Sequence, residues 1–148
     1  MGITIHRPEI NDEKSWRTLW RGYLDFYETE LPDEIYRNTW RRMLSGDLED
    51  INGLLAKDET GKSVGLVHYL FHPHCWHKEK VCYLQDLFVD DSARGKGVGR
   101  LLINRVYEAA DTLGRGEVYW LTQTFNSTAR QLYNQVATVT PFIKYKRN

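Results

Sequence analysis

Between Val81 and Gly114 the chain passes from a β-branched and aromatic stretch, through a turn with glycine at alternate positions, into a helix pattern. Val81–Val89 has the content of a buried strand. Asp90 to Gly97 is a charged turn. Val98, Leu101, Leu102, Val106, Ala109, Ala110 and Leu113 then recur at helical spacing, and Gly114 ends the stripe. The first amides of such a helix have no internal partners. They carry about +0.5 charge. Arg94, Lys96 and Arg100 add to it, and glycine removes the Cβ atoms that would keep a ligand away. A pyrophosphate suits this turn. The spacing is not that of a Walker A loop, and GxGxxG fails because Arg100 stands where its third glycine belongs.

The flanks set the fold class. Ile3-Thr4-Ile5 before Pro8 reads as a first strand. Asn11 or Asp12 caps a helix that carries Trp16, Leu19, Trp20, Tyr23, Leu24 and Tyr27 on one face. A second helix starts near Asp33, behind Pro32, and carries Ile35, Tyr36, Trp40, Met43 and Leu44. Gly53–Lys57 and Ser63–Phe71 form a hairpin around a polar turn with Gly61. After the turn and its helix come a strand at Glu117–Thr122, a helix at Asn126–Val136 and a short strand at Phe142–Tyr145. The order βααβββαβαβ is that of an α/β protein with a mixed sheet.

The 148 residues predict one domain, 1–148. Twenty Lys and Arg balance twenty Asp and Glu, so the basic field of a nucleic-acid binder is missing. No apolar run approaches the roughly 20 residues of a membrane span, and Met1–Arg7 has no signal-peptide core. A cytoplasmic protein that binds neither membrane nor nucleic acid is expected. Cys75 and Cys82, the only cysteines, cannot build a disulfide scaffold. His72, His74, Cys75 and His77 are zinc-ligand types, but no second ligand pair follows at the usual spacing. No metal is expected; the loop is read as lining an acceptor mouth or a subunit contact.

Arg94, Gly97 and Gly99 form RxxGxG behind a strand that ends at Val89. This resembles the acetyl-CoA-binding motif of the GNAT N-acetyltransferase superfamily, and the element order matches over nearly the whole chain. The segments around Trp16–Pro32, Tyr83–Val89 and Val118–Tyr133, with the ending Tyr145-Lys146-Arg147, look like the small yeast acetyltransferases first described as acting on histones, which also take polyamines and amino acids. The middle segment is also similar to diamine acetyltransferases. The resemblance implies a mixed, mostly antiparallel sheet splayed between its fourth and fifth strands, with helices on both faces. It implies acetyl transfer from acetyl-CoA to a primary amine by direct attack in a ternary complex, with a small amine as acceptor. A protein lysine acetyltransferase is the alternative enzyme, and a non-catalytic CoA-binding module the alternative of another class. A homodimer is expected, with Tyr119, Trp120, Phe142 and Tyr145 as candidate interface residues.

The same resemblance distributes roles. Pantetheine pairs beside Leu87, Phe88 and Val89, and the pyrophosphate meets Arg94, Gly95, Lys96, Gly97, Val98, Gly99 and Arg100. Asn126 and Arg130 take further cofactor contacts, although Asn126 also suits a plain N-cap. Tyr133 matches the tyrosine that protonates the leaving thiolate. Diamine acetyltransferases carry a glutamate where Gln85 stands, and an amide takes no proton. Asp86 is the next carboxylate, but strand alternation turns it to the opposite face unless a bulge re-aims it. Water or Tyr83 remains open as the proton path. Tyr27, Glu28 and Glu30, from the acidic segment Asp25–Glu34, are candidate acceptor contacts; a solvated helix end explains the acids equally.

Overall fold

The computed structural model describes residues 2–148. Five strands and four α-helices follow in the order β1 (Thr4–His6), α1 (Glu13–Phe26), α2 (Asp33–Leu44), β2 (Asn52–Lys57), β3 (Ser63–His72), β4 (Val81–Val89), α3 (Val98–Thr112), β5 (Val118–Tyr119) and α4 (Ser127–Val136). The strands lie in sequence order in one sheet. The pairs β1–β2, β2–β3 and β3–β4 are antiparallel, and β4–β5 is parallel. The mixed sheet with helices on both faces is the expected architecture.

The two faces are packed with different chemistry. On one, α3 lays Val98, Leu102, Ile103 and Val106 on Leu54, Val67 and Leu84. On the other, α1 and α2 bring Trp16, Trp20, Tyr36 and Trp40 onto Leu55 and Leu66. Trp16 is fully buried, with ring centroids 5.0 Å from Trp40 and 5.2 Å from Trp20. Truncating such a ring to alanine costs about 3–5 kcal/mol. Asp12 does stand at the head of α1, but its carboxylate does not cap the helix. It accepts from the Glu9 amide at 2.8 Å and from Lys57 Nζ at 2.7 Å, which ties the helix entry to β2.

Two expectations at the C-terminal end need correction. β5 is only two residues long, not Glu117–Thr122. The strand expected at Phe142–Tyr145 does not form. Phe142, Ile143 and Tyr145 are 76–89% exposed. Strand amides need a paired neighbour, and no strand among the described residues runs beside this tail.

Candidate active site

β4 meets β5 at two register positions, Cys82↔Val118 and Tyr83↔Tyr119. This end is locked by side chains. Tyr83 stacks on Tyr119 with centroids 4.9 Å apart. The Tyr119 hydroxyl donates to His72 Nε2 at 2.8 Å, while His72 Nδ1 donates to the Pro73 carbonyl at 2.7 Å. From Leu84 to Val89 the same edge of β4 has no strand neighbour. The strands therefore splay, and the open edge runs straight into the glycine turn.

That turn is built as its composition predicts. Gly95 has φ +80° and Gly97 φ +77°, a region in which residues with a Cβ are strained. Gly97 is the N-cap of α3, and the Leu101 amide is the first to find its helical acceptor there, at 3.1 Å. The amides of Val98, Gly99 and Arg100 are left to a ligand. No atom lies within 4 Å of a Cβ built on Gly95 or Gly97, so the cradle has room for a pyrophosphate. Gly99 serves packing: a Cβ there would sit 3.1 Å from Leu132 of α4. The cations divide. Lys96 is exposed and has no ion-pair partner among the described residues. Arg94 donates to the Val89 carbonyl at 3.0 Å and covers the Phe88 ring at 5.8 Å, holding strand end and turn together. Arg100 is turned to Gln135 of α4.

The pairing of β3 with β4 carries the decisive irregularity. His68 pairs with Asp86 and Tyr69 with Leu84, so Gln85 is an extra residue on β4. One inserted residue reverses the parity of the strand. Cys82 and Leu84 face α3, as do Leu87 and Val89, while Phe88 joins the aromatic cluster of α1 and α2. Asp86 is thereby placed with His68 against α1, 8% and 4% exposed respectively. The re-aiming that a bulge would allow is what the fold contains. Gln85 itself points outward.

Residue chemistry then fixes the protons. The Trp16 indole can only donate, and its Nε1 lies 2.9 Å from His68 Nε2. His68 Nε2 must accept, so Nδ1 carries the hydrogen and donates it to Asp86 Oδ2 at 2.8 Å. The Tyr23 phenol faces the same carboxylate; burial first, then the Asp86 charge, pushes its ionisation far up. Tyr27 and Tyr83 are raised by the same two causes. Asp86 thus lies beneath a set of three protonated phenols.

Tyr133, on α4, packs its ring edge-on to Trp120 at 5.4 Å. Burial, with a smaller contribution from Tyr27, pushes its phenol up to about 12. The Asp86 charge thus raises Tyr27, and Tyr27 in turn adds to the rise of Tyr133. Asn126 sits at the N-cap of α4, yet its side chain makes no capping bond. Arg130 donates to the Thr124 carbonyl at 2.7 Å and braces the loop before α4. Glu28 takes φ +53° after α1, in a turn closed by Thr29 N to Leu24 O at 2.9 Å and Glu28 N to Asp25 O at 3.0 Å. Glycine usually occupies this place. Glu28 and Glu30 have no ion-pair partner among the described residues, whereas Asp33 is neutralised by Arg17 and Arg37.

The structure thus pairs Asp86 with His68 on the α1 side, packs Tyr133 against the α3-side core and leaves Gln85 exposed outside the polar cluster. Sequence reading did not find His68 and Trp16 and gave Tyr23 only a packing role. The available signal was one titratable residue, His68, inside the apolar run Leu66-Val67-His68-Tyr69-Leu70.

The chain matches the Acetyltransferase (GNAT) family over residues 14–137. It is 42% identical over 146 residues to the D-amino-acid N-acetyltransferase HPA3 of Saccharomyces cerevisiae, covering 99% of this chain and 91% of that protein. A shorter match, 37% over 54 residues, joins it to the L-ornithine N5-acetyltransferase NATA1 of Arabidopsis thaliana, covering 36% of this chain and 24% of that one. Among solved structures, the aminoglycoside N-acetyltransferase AAC(6')-Iy in complex with CoA superposes with a TM-score of 0.83 at 19% identity, covering 99% of this chain and 94% of the other. With its family matched across most of the length and its fold shared with that structure, the chain belongs to the GNAT acetyltransferases and is an acetyl-CoA-dependent N-acetyltransferase.

Proposed function

We propose that the protein acetylates the amine of a free amino acid or of a comparably small amine, within one catalytic domain. One observation carries the reading of the site: the bulge at Gln85 brings a buried carboxylate, Asp86, to the open edge of β4, where the glycine turn begins. The acceptor class is supported by the yeast relative, a D-amino-acid N-acetyltransferase similar over 99% of this chain.

Acetyl-CoA supplies the activated acetyl group. The residues of this chain divide the remaining work. The amides of Val98, Gly99 and Arg100, with Lys96, hold the pyrophosphate. The free edge at Leu87–Val89 aligns the pantetheine as an added strand, and Asn126 and Arg130 border it from α4. Alignment of this kind accounts for a large part of such rate enhancements. Asp86 accepts the proton of the incoming ammonium, directly or through one water among the phenols of Tyr23, Tyr27 and Tyr83. His68 is a positioning residue: locked by Trp16, it keeps one hydrogen aimed at Asp86 Oδ2. Tyr133 faces the departing sulfur. A phenol near 12 gives a full proton to a thiolate of ordinary pKa, about 8.5, only uphill. Its first role is therefore to donate a hydrogen bond to the sulfur as charge develops. Tyr27, Glu28 and Glu30 edge the acceptor mouth and favour a cation.

Taken alone, an amide at position 85 favours a non-catalytic CoA-binding module, since Gln85 takes no proton. Asp86, brought in by the bulge, removes that support. Two further parts of the reading rest on the chain's surface. The exposed Phe142, Ile143 and Tyr145 support a homodimer in which the tail meets a second copy. Two free thiols support a reducing compartment, the cytoplasm. Among the described residues no helix is long and apolar enough to cross a membrane.

Thiol release from acetyl-CoA, measured with D- and L-amino acids, ornithine, spermidine and a histone-tail peptide, tests the acceptor. The highest kcat/KM is expected on a free amino acid. Turnover confined to the peptide would overturn the acceptor assignment.

A further inference from the structure

At the closed end of the cleft, the loop between β3 and β4 folds onto the residue that precedes β5. His74, His77 and Glu117 each offer one ligand atom, and the three atoms lie within 4.8 Å of one another. Two of these residues are three apart in sequence; the third comes from 40 positions further on, which is why spacing alone showed no partner for the His-rich loop. We propose that this cluster is a binding site for a borderline divalent transition metal, zinc above all, that clips the β3–β4 loop to the start of β5.

The donor set decides the class of ion. Two imidazoles and one carboxylate suit Zn²⁺ and its first-row neighbours, whereas Mg²⁺ and Ca²⁺ take oxygen donors. Three protein ligands leave an outer position for water, and both His77 and Glu117 are exposed to it. The geometry is close to what an ion needs. His77 Nε2 lies 2.8 Å from Glu117 Oε1. A metal bound at Nε2 would displace the hydrogen shared by these atoms; the neutral imidazole would then carry its one proton on Nδ1, and any second proton would leave to water. The His74 and His77 rings already lie 4.7 Å apart, centroid to centroid. The loop is turned to that end by a bond from the His77 amide to the His74 carbonyl at 3.1 Å. The Trp76 amide donates to His74 Nδ1, also at 3.1 Å, which holds the His74 ring within the loop.

The base of the cluster is rigid where it must be. The Glu117 carbonyl accepts from the Cys82 amide at 2.8 Å, so its backbone belongs to the β4–β5 pairing. His72, committed to Tyr119 and Pro73, stands outside the set, as does the exposed thiol of Cys75. The ion would therefore cross-link the β3–β4 loop to the paired end of the sheet, remote from the glycine turn.

The test uses the full chain without an affinity tag, titrated with Co²⁺ and followed by its visible absorption, then displaced with Zn²⁺. One equivalent is expected to bind, with no thiolate charge-transfer band. His77→Ala and Glu117→Gln should each weaken binding by about tenfold or more, and His72→Ala should leave it unchanged. Saturating Zn²⁺ should slow tryptic cleavage after Lys78 in the wild type and not in Glu117→Gln. Acetyl-CoA binding, measured on every variant, confirms that each is folded. Absence of saturable Co²⁺ uptake, or uptake that survives both His77→Ala and Glu117→Gln, would overturn the site.

Discussion

The two ends of β4 are one strand with opposite fates. Residues 82 and 83 are paired on both sides, and their neighbours are fastened by the Tyr83–Tyr119 stack and the His72–Tyr119 bond. A surface ion cluster adds to this end: Glu49 takes Lys80 at 2.6 Å and Arg115 at 2.9 Å. Residues 84–89 keep β3 on one side and have nothing on the other. Unpaired amides and carbonyls are costly unless water or a ligand meets them. The closed end supplies the stiffness that lets the open end stay unpaired, and Asp86, the proposed proton acceptor, lies at the open end. Stability and chemistry are thus separated along nine residues.

Substitutions at the two ends should fail in different ways. The largest effect is expected at Asp86 and Tyr133. Asp86→Asn removes the proton acceptor, and Tyr133→Phe removes one hydroxyl at almost constant volume. Each should lower kcat by about 10²–10⁴-fold, with the dissociation constant of acetyl-CoA little changed. Stopped-flow turnover beside calorimetric binding separates the two quantities. Equal loss of binding in Tyr133→Phe would reduce that residue to packing.

Gly97→Glu should do the reverse. Its backbone sits at φ +77°, and a carboxylate there faces the pyrophosphate. Strain and like-charge repulsion together should raise the dissociation constant about a hundredfold or more. The unfolding midpoint should fall only modestly, because α3 keeps its apolar stripe.

Glu28→Gly tests the acceptor mouth. Relief of the left-handed backbone at φ +53° should stabilise the protein by about 1 kcal/mol. If Glu28 draws in cations, KM for spermidine should rise while acetyl-CoA binding stays put. An unchanged KM for every amine would limit Glu28 to a helix end.

The smallest effect belongs to the closed end and depends on pH. Arg115 and then Lys80 hold the Glu49 carboxyl well down, to about 2. A depressed carboxyl stabilises the fold above its ordinary range, and the benefit is lost as pH falls from about 4.5 towards about 2. Glu49→Gln should therefore lower the melting temperature slightly at pH 7, and the gap to wild type should close near pH 2. The pair is exposed, so added salt should narrow the gap as well. A difference that persists at pH 2 would assign Glu49 a role other than its charge.

Much of this molecule is written in local pattern. The stripe of α3, the glycines of the turn and the Trp-rich face of α1 follow from the spacing of residue types, because a helix or a turn is decided over a few neighbours. RxxGxG named the family for the same reason: Gly97 must be left-handed and Gly99 must admit Leu132, and both demands act on single positions. What no local pattern holds is the parity of β4. Whether Asp86 faces α1 or α3 depends on one unpaired residue opposite the His68–Tyr69 step, and that is settled between two strands. The same is true of Trp16 and His68, 52 residues apart, which set the proton on the Asp86 side. Glu117 comes to His77 only because the strand it introduces pairs with β4. The tail at Phe142–Tyr145 has strand composition and no strand, since composition supplies side chains but not a neighbour to bond. The sequence by itself determined the helices, most of the strands, the turn and the family; only the tertiary structure decided where the last strands end and which side chains share the cleft, because register and parity are properties of pairs of strands.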